Sequence, residues 1–373
     1  MRDRVSQSSH PGSMATVAAT ILVVTLAVVS CAGPGVSPVP TAGPATPGVT
    51  PGATATGTLM PTTSIRFALD WTPNTNHLGL FVARANGWYD EAGIELQLLP
   101  YSGATPETLM AAGQADCGIS FQDALTFAAA AGAPIVSVMA ILQHAASEIA
   151  ILAGGPILRP RDLDGRVYAG FGYPNEEPTV RFVIEADGGR GEFQTVALAD
   201  SAAYEALYAG RADFVISFSA WEGVEARLRG IDLRTFAFTD YGFPDFYQVV
   251  LACSREILER EPDAIRHFLA ATVRGFEAAQ ADPDGAARIL VDENPGIFEA
   301  NPELPRESAR FLVEGGYLVD SEGLVGRQTL GQWSGYSGFL FDQGLLADPE
   351  GRPLAAPPDY GALFTNDFLP AGP

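Results

Sequence analysis

Apolar and polar side chains alternate over residues 65–70, which is the pattern of a strand with one buried face. Apolar residues then recur at helical spacing at Leu78, Leu80, Phe81 and Ala85. Gly87 marks the end of that helix, and a second strand pattern covers residues 94–98. The order of these elements places residues 71–77 between the end of a strand and the start of a helix.

Strand-like and helix-like patterns continue to alternate downstream, at residues 94–99, 106–112, 116–120, 123–131 and 135–142. Such alternation predicts an α/β protein with a mostly parallel sheet flanked by helices. Two apolar runs bracket a further α/β block, and they cover residues 148–153 and 247–252. We interpret these runs as two hinge crossovers between two lobes, with lobe I at 64–152 and 251–373 and lobe II at 153–250.

The N-terminal region has a different character. Two arginines precede an apolar run at residues 14–29, which is typical of a secretory signal. Val28-Val29-Ser30-Cys31 resembles a bacterial lipoprotein cleavage box, in which Cys31 becomes the lipidated first residue. The alternative is a membrane-spanning anchor, but the run is shorter than the roughly 20 residues that a span needs. We therefore predict a lipoprotein signal peptide at 1–30 and a tether rich in Pro, Gly and Thr at 31–63.

Composition excludes several classes of function. The formal net charge of -22 and the lack of any lysine oppose nucleic-acid binding, since phosphate contacts depend on positive side chains. A phosphate-binding loop ending in Lys-Ser or Lys-Thr is impossible for the same reason. The histidines show no metal-ligand spacing, so no metal site is expected. Cys117 and Cys253 lie among apolar residues, and we expect them to be buried free thiols.

The turn at residues 71–77 concentrates groups that suit an aromatic, nitrogen-rich ligand. Trp71 offers a stacking face, Asn74 and Asn76 offer amides, and His77 offers an imidazole. Each group also has a purely structural explanation: core packing for the Trp, closure of the turn for the Asn residues and a helix cap for the His. Because open α/β sheets bind ligands at the carboxyl ends of their strands, we treat this turn as the first candidate site.

The segment Leu69-Asp70-Trp71-Thr72-Pro73-Asn74-Thr75-Asn76-His77 resembles the N-terminal part of periplasmic-type binding proteins of the thiamine-pyrimidine-precursor family. The resemblance continues through residues 79–83, 87–89, 93–96, 113–120, 162–165 and 363–369. It implies a two-lobed type II periplasmic-binding-protein fold with the ligand in the interlobe cleft. It also implies delivery of a hydroxymethylpyrimidine or a formylaminopyrimidine to an ABC permease and its ATPase, by a monomer that is anchored outside the cytoplasm.

A second candidate site is the glycine-containing loop at residues 170–179. In the resembling family a glutamate of this loop is expected to bind the aminopyrimidine, which makes Glu176 and Glu177 the candidates here. An amine beside a ring nitrogen pairs with a carboxyl group through two hydrogen bonds. Helix capping explains both acids equally well, since acidic residues favour the first turn of a helix. Other candidate ligand-binding residues in loops after strands are Gln122, Gln143, Tyr173, Asn175 and Trp221, and Tyr247 at the start of the second crossover run is a further aromatic candidate.

The resembling family also includes fungal enzymes that synthesise the pyrimidine, with pyridoxal phosphate held on a lysine beside a cysteine-rich segment. This chain has neither a lysine nor a cysteine cluster, so we expect binding rather than catalysis, and no cofactor. Riboflavin and sulfonates remain alternative ligands on the same fold, as does a sensor role without transport. A flavin needs a longer slot with more aromatic residues, whereas a sulfonate needs Arg or helix N-termini directed at the cleft.

Overall fold

The computed structural model describes residues 62–198 and 202–371. The segments predicted as signal peptide and tether, including Cys31, lie outside these residues, apart from the last two positions of the tether. Ten strands are β1 (Thr63–Ala68), β2 (Ile94–Leu99), β3 (Cys117–Ser120), β4 (Ile135–Leu142), β5 (Ser147–Leu152), β6 (Val167–Gly170), β7 (Gln194–Ala197), β8 (Phe214–Phe218), β9 (Leu233–Ala237) and β10 (Val249–Ser254).

The α-helices of the described residues are α1 (Leu78–Ala85), α2 (Trp88–Glu91), α3 (Pro106–Ala111), α4 (Gln122–Ala130), α5 (Glu176–Ala186), α6 (Ala202–Tyr208), α7 (Val224–Leu228), α8 (Arg255–Arg260), α9 (Pro262–Ala281), α10 (Pro283–Asp292), α11 (Leu304–Glu314) and α12 (Leu330–Asp342). Single 3-10 turns lie at Thr75–His77, Pro160–Leu163, Phe238–Tyr241 and Tyr360–Leu363, and a π-helical turn lies at Ser219–Gly223. None of these helices combines the length and the apolar character that crossing a membrane requires.

The strands form two five-stranded sheets, in the spatial orders β2-β1-β3-β10-β4 and β7-β6-β8-β5-β9. In the first sheet β1 is parallel to β2 and β3, whereas β10 is antiparallel to β3 and β4. The second sheet repeats this plan, with β6 parallel to its neighbours and β5 antiparallel to β8 and β9. The predicted two-lobed α/β fold is confirmed, and both sheets are mixed because each lobe takes in one antiparallel strand.

The chain crosses between the sheets at residues 143–146, after β4, and again between β9 and β10. β5 therefore belongs to the second sheet, whereas the predicted boundary at residue 152 assigns it to lobe I. The boundary falls one strand late because the apolar run of β5 has no local feature that distinguishes a crossing from a strand already inside the second lobe. Its residues Ile149 and Ile151 pack into the second core.

Helix α12 packs on both lobes. Its Trp333 lies in the first lobe beside Tyr247, with ring centroids 6.1 Å apart. One turn later, Tyr336 packs on Phe246 of the second core at 4.4 Å between centroids. The C-terminal part of the chain thus ties the lobes together in addition to the two crossings.

Cys117 and Cys253 are buried, as expected, but they form a disulfide and are not free thiols. They occupy paired positions of β3 and β10, with 3.9 Å between their Cα atoms. The expectation of free thiols is wrong because it rested on apolar sequence neighbours. The strand pairing joins residues 136 positions apart, and local sequence does not encode it.

Candidate functional site

The loops that follow β1, β3, β6 and β8 lie at the carboxyl ends of the parallel strands, where open α/β sheets bind ligands. We call residues 69–77, 121–123, 171–177 and 217–223 the cleft loops. Two of them meet across the lobes, because the Asn175 amide nitrogen donates to a carboxylate oxygen of Asp123 at 2.7 Å. The other two both contact α11. The cleft loops are therefore brought together from both sheets.

The first cleft loop holds its aromatic side chain outward and its polar side chains inward. Trp71 is 37% exposed, whereas Asn74 and His77 are buried. The Asn74 side chain accepts the backbone N–H of Asn76 at 2.8 Å and donates to the carbonyl of Thr72 at 3.1 Å. Asn74 is thus used to close the turn, and Trp71 and the partly exposed Asn76 are left for a ligand.

His77 does not fit a direct ligand contact. Its ring Nδ1 accepts the backbone N–H of Asn74 at 3.2 Å, and its Nε2 lies 2.7 Å from a carboxylate oxygen of Asp70. Both ring nitrogens therefore have partners inside the loop. The sequence marked this histidine as a candidate, but residue type alone could not distinguish a ligand contact from a side chain that holds its own loop in place.

Glu176 organises the loop that follows β6. It is buried, and its carboxylate accepts the backbone N–H groups of Phe171, Gly172 and Tyr173 as well as the Tyr168 hydroxyl at 3.0 Å. Burial raises the pKa of the Glu176 carboxyl despite these donors. The structural explanation holds for this residue, because four donors already occupy its oxygens. Glu177 is exposed in the first turn of α5.

Three further sequence candidates join α12 to the rest of the molecule. The Gln122 amide nitrogen donates to the carbonyls of Gln332 and Trp333, and its oxygen accepts the backbone N–H of Tyr247. Gln143 donates its amide to the carbonyl of Arg327 at 3.1 Å. The Tyr247 hydroxyl accepts the backbone N–H of Thr329 at 2.7 Å. These buried side chains have structural partners, so a role in ligand contact does not fit them.

The remaining candidates lie at the lobe interface or its rim. Asn175 bonds to Asp123 and to the Tyr336 hydroxyl, while its own amide oxygen is buried without a partner. Tyr173 is 66% exposed. Trp221 packs edge-on against Phe298 with 6.4 Å between ring centroids. Of the two aromatic residues, Tyr173 is the more exposed.

Glu222 is a functional candidate that the sequence-based selection missed, although it falls in the loop after β8. It lies in the π-helical turn Ser219–Gly223, and one of its carboxylate oxygens is buried without a hydrogen-bond partner. Burial raises the pKa of Glu222 to about 8. The side chain is therefore largely a neutral carboxylic acid at pH 7, with one donor and one acceptor. Single π-helical turns are frequent at functional sites, but sequence patterns do not reveal them.

Acidic side chains with raised pKa values dominate the electrostatics of the cleft loops. Burial raises the pKa of Asp123 as well as that of Glu107, which accepts the Ser120 hydroxyl at the end of β3. None of the cleft loops contains an arginine. Besides Glu222, the Ser217 hydroxyl is buried without a partner in the described structure. An anionic ligand would find no countercharge in these loops.

Comparisons with known proteins agree with this architecture. A model of the family described as NMT1/THI5 like matches residues 74–286. A formylaminopyrimidine-binding protein of Halalkalibacterium halodurans is 27% identical over 77% of this chain and 87% of its own length. The riboflavin-binding protein RibY of Chloroflexus aurantiacus is 25% identical over 94% of this chain and 97% of its own length.

Proteins named as enzymes also match. A 4-amino-5-hydroxymethyl-2-methylpyrimidine phosphate synthase of Saccharomyces cerevisiae is 24% identical over 83% of this chain and 89% of its own. Among solved structures, the alkanesulfonate-binding protein SsuA of Xanthomonas axonopodis pv. citri superposes with a TM-score of 0.60. It covers 78% of this chain and 96% of its own at 14% identity, so this likeness shows the fold alone.

Proposed function

We propose that this chain, which belongs to the NMT1/THI5-like family, is the substrate-binding protein of an ABC importer and takes up a thiamine pyrimidine precursor. The ligand class is an aminopyrimidine of the formylaminopyrimidine or hydroxymethylpyrimidine type. It binds between the cleft loops of the two lobes and is released unchanged. The relative that binds formylaminopyrimidine, matched over most of both chains, supports this assignment.

The buried, unpartnered carboxyl oxygen of Glu222 is the observation that carries the proposal, and burial favours the neutral acid there. An aminopyrimidine presents an exocyclic N–H donor beside a ring-nitrogen acceptor, and a protonated carboxyl group offers the complementary acceptor and donor. Glu222 has a buried, unpartnered oxygen at the carboxyl end of β8. A sulfonate offers acceptors only and carries a negative charge, so it would leave the carbonyl oxygen of this acid without a donor.

Trp71 supplies the apolar face for the ring. Its exposed indole follows β1, and a stacked aromatic pair contributes about 1 kcal/mol beyond the burial of area. The partly exposed Asn76 is positioned in the same turn to bond to the polar edge of the ligand. Closure of the lobes then forms the surface that a permease recognises.

The location outside the cytoplasm and the lipid anchor on Cys31 belong to the same proposal. The apolar run at residues 14–29 and the sequence ending in Cys31 support them. The Cys117–Cys253 disulfide gives independent support, because stable disulfides are typical of oxidising compartments.

Riboflavin is the second candidate ligand, since the riboflavin-binding relative matches 94% of this chain. The second lobe offers further aromatic surface at the ends of β6 and β8, where Phe171 stacks on Phe218 at 6.3 Å between centroids. A flavin would extend from Trp71 along this surface. Pyrimidine synthesis of the lysine-dependent type is not proposed, because the chain has no lysine.

Calorimetric titration of the purified full chain with formylaminopyrimidine, hydroxymethylpyrimidine, riboflavin and an alkanesulfonate tests the assignment. We expect an aminopyrimidine to bind, and Glu222→Ala to weaken its affinity about tenfold or more through the loss of two hydrogen bonds. Glu185→Ala is the matched control, because it removes an exposed acid of α5 that lies outside the cleft loops. Binding of the sulfonate alone, or turnover of the pyrimidine detected by mass spectrometry, would refute the proposal.

A further inference from the structure

The buried His77 forms hydrogen bonds to Asp70 and Asn74, which lie on either side of Trp71 in the sequence. Its Nδ1 accepts the backbone N–H of Asn74, which places the ring proton on Nε2, facing the carboxylate of Asp70. The loop that carries the indole begins just after β1 and reaches the 3-10 turn at Asn74, and the His77 imidazole bonds to both Asp70 and Asn74. Its relative exposure is 0%, so no part of the ring is available to a ligand in this arrangement.

We propose that His77 is a positioning residue for ligand binding, which holds residues 70–74 so that Trp71 presents its ring to the cleft. This inference rests on the proposed function and assigns a role to a residue that does not touch the ligand. A loop ordered before binding loses less conformational entropy when the ligand arrives, and affinity rises accordingly. The Asn74 side chain reinforces the same loop through its bonds to Thr72 and Asn76.

Contacts with α1 and α11 fix His77 and its neighbour Thr75 in the first lobe. The His77 ring packs 6.5 Å from the ring of Phe81 in α1, which belongs to the first core. Its neighbour Thr75 shares a hydrogen bond of 2.6 Å with Ser308 in α11. Helix α11 also contacts the π-helical turn that carries Glu222. Helix α11 therefore contacts both the loop that bears Trp71 and the turn that bears Glu222.

The positioning role of His77 requires one hydrogen-bond acceptor and one donor on a flat ring. His77→Phe keeps the ring but removes both nitrogens, so the backbone N–H of Asn74 and the Asp70 carboxylate lose their partner. His77→Gln keeps one acceptor and one donor on a flexible side chain. We expect aminopyrimidine affinity to fall about tenfold for His77→Phe and about threefold for His77→Gln, in line with the value of one or two hydrogen bonds.

A double-mutant cycle with Trp71→Ala on the full chain separates positioning from general loss of stability. If His77 acts through Trp71, His77→Phe weakens binding in the wild-type background and has little further effect once Trp71 is absent. The matched control is Tyr89→Phe, which removes a buried hydrogen bond of 2.9 Å to Thr272 in the same lobe, away from the loop. This control should leave affinity unchanged in both backgrounds.

Hydrogen exchange in the absence of ligand tests the positioning role of His77 independently. Hydrogen exchange of the backbone amides of Asn74, Asn76 and His77 should accelerate in His77→Phe, partly recover in His77→Gln and stay slow in Trp71→Ala and Tyr89→Phe. Unchanged exchange in His77→Phe, or an equal loss of affinity with and without Trp71, would overturn the positioning role. If no aminopyrimidine binds the wild-type chain, the proposed function fails, and the exchange result alone then decides the role of His77.

Discussion

Replacing Glu222 by glutamine tests whether a protonated carboxyl group forms the polar wall of the cleft. The pKa of Glu222 rises from its ordinary 4.5 to about 8 because burial disfavours the charged form. Folding is therefore unaffected by this group below pH 4.5, and stability is lost progressively as the pH rises towards 8. Glutamine imitates the neutral acid at every pH, with one oxygen acceptor and one N–H donor in similar places.

The magnitude follows from linkage. The rise of the Glu222 pKa from 4.5 to about 8 corresponds to an unfolding free energy that is about 5 kcal/mol lower at alkaline pH than at acid pH. Partial exposure of the side chain reduces the expected effect to about 2–4 kcal/mol. Wild-type and Glu222→Gln chains should therefore have similar stability at pH 5. At pH 9 the glutamine variant should be the more stable by that amount.

Urea denaturation at pH 5, 7 and 9, followed by far-UV circular dichroism, measures the difference. Glu185→Gln is the control, since it makes the same substitution at an exposed position of α5 outside the cleft loops. Aminopyrimidine titrations on the same samples should show affinity falling above pH 8 in the wild type and remaining level in Glu222→Gln. A constant stability difference from pH 5 to 9 would refute the claim that the folded protein keeps this carboxyl protonated.

Three further predictions concern the rest of the molecule. The hydrogen bond that the half-exposed His144 donates to the Asp245 carboxylate raises the pKa of His144, so this pair stabilises the fold below the ordinary histidine pKa and loses its effect as the pH rises through the raised one. Asp245→Asn should therefore destabilise the chain by up to about 1 kcal/mol at pH 5.5 and less at pH 8.5, as measured by urea denaturation. Joint replacement of Cys117 and Cys253 by alanine should destabilise by about 2–5 kcal/mol in the same assay. If thiol titration of the unfolded, unreduced wild type finds both cysteines free, the disulfide is contradicted. Gly170→Ala should lower stability by about 1–3 kcal/mol, because a Cβ there would overlap the Glu176 carboxylate and the Tyr168 ring.

The candidate site was predictable in location but not in the role of each residue. The turn after β1 and the loops after β6 and β8 were all expected at the ends of strands, and the structure places them there. His77 and Glu176 in these loops, and Gln122 after β3, have the polarity of ligand contacts, yet each is satisfied by the protein itself. Glu222 looked unexceptional because its raised pKa arises mainly from burial, which depends on the tertiary structure.

Local sequence determined the elements, since the hydrophobic periods of strands and helices and the turn residues between them act over a few positions. The composition of the sequence also limits the function, because the lack of lysine and the acidic net charge oppose nucleic-acid binding and lysine-dependent catalysis. Only the tertiary structure decided that β5 joins the second sheet, that Cys117 and Cys253 pair, and that one carboxyl oxygen of Glu222 is buried without a partner. Each of these depends on contacts between segments far apart in the chain. Whether a polar side chain binds a ligand or braces a loop is set by those contacts.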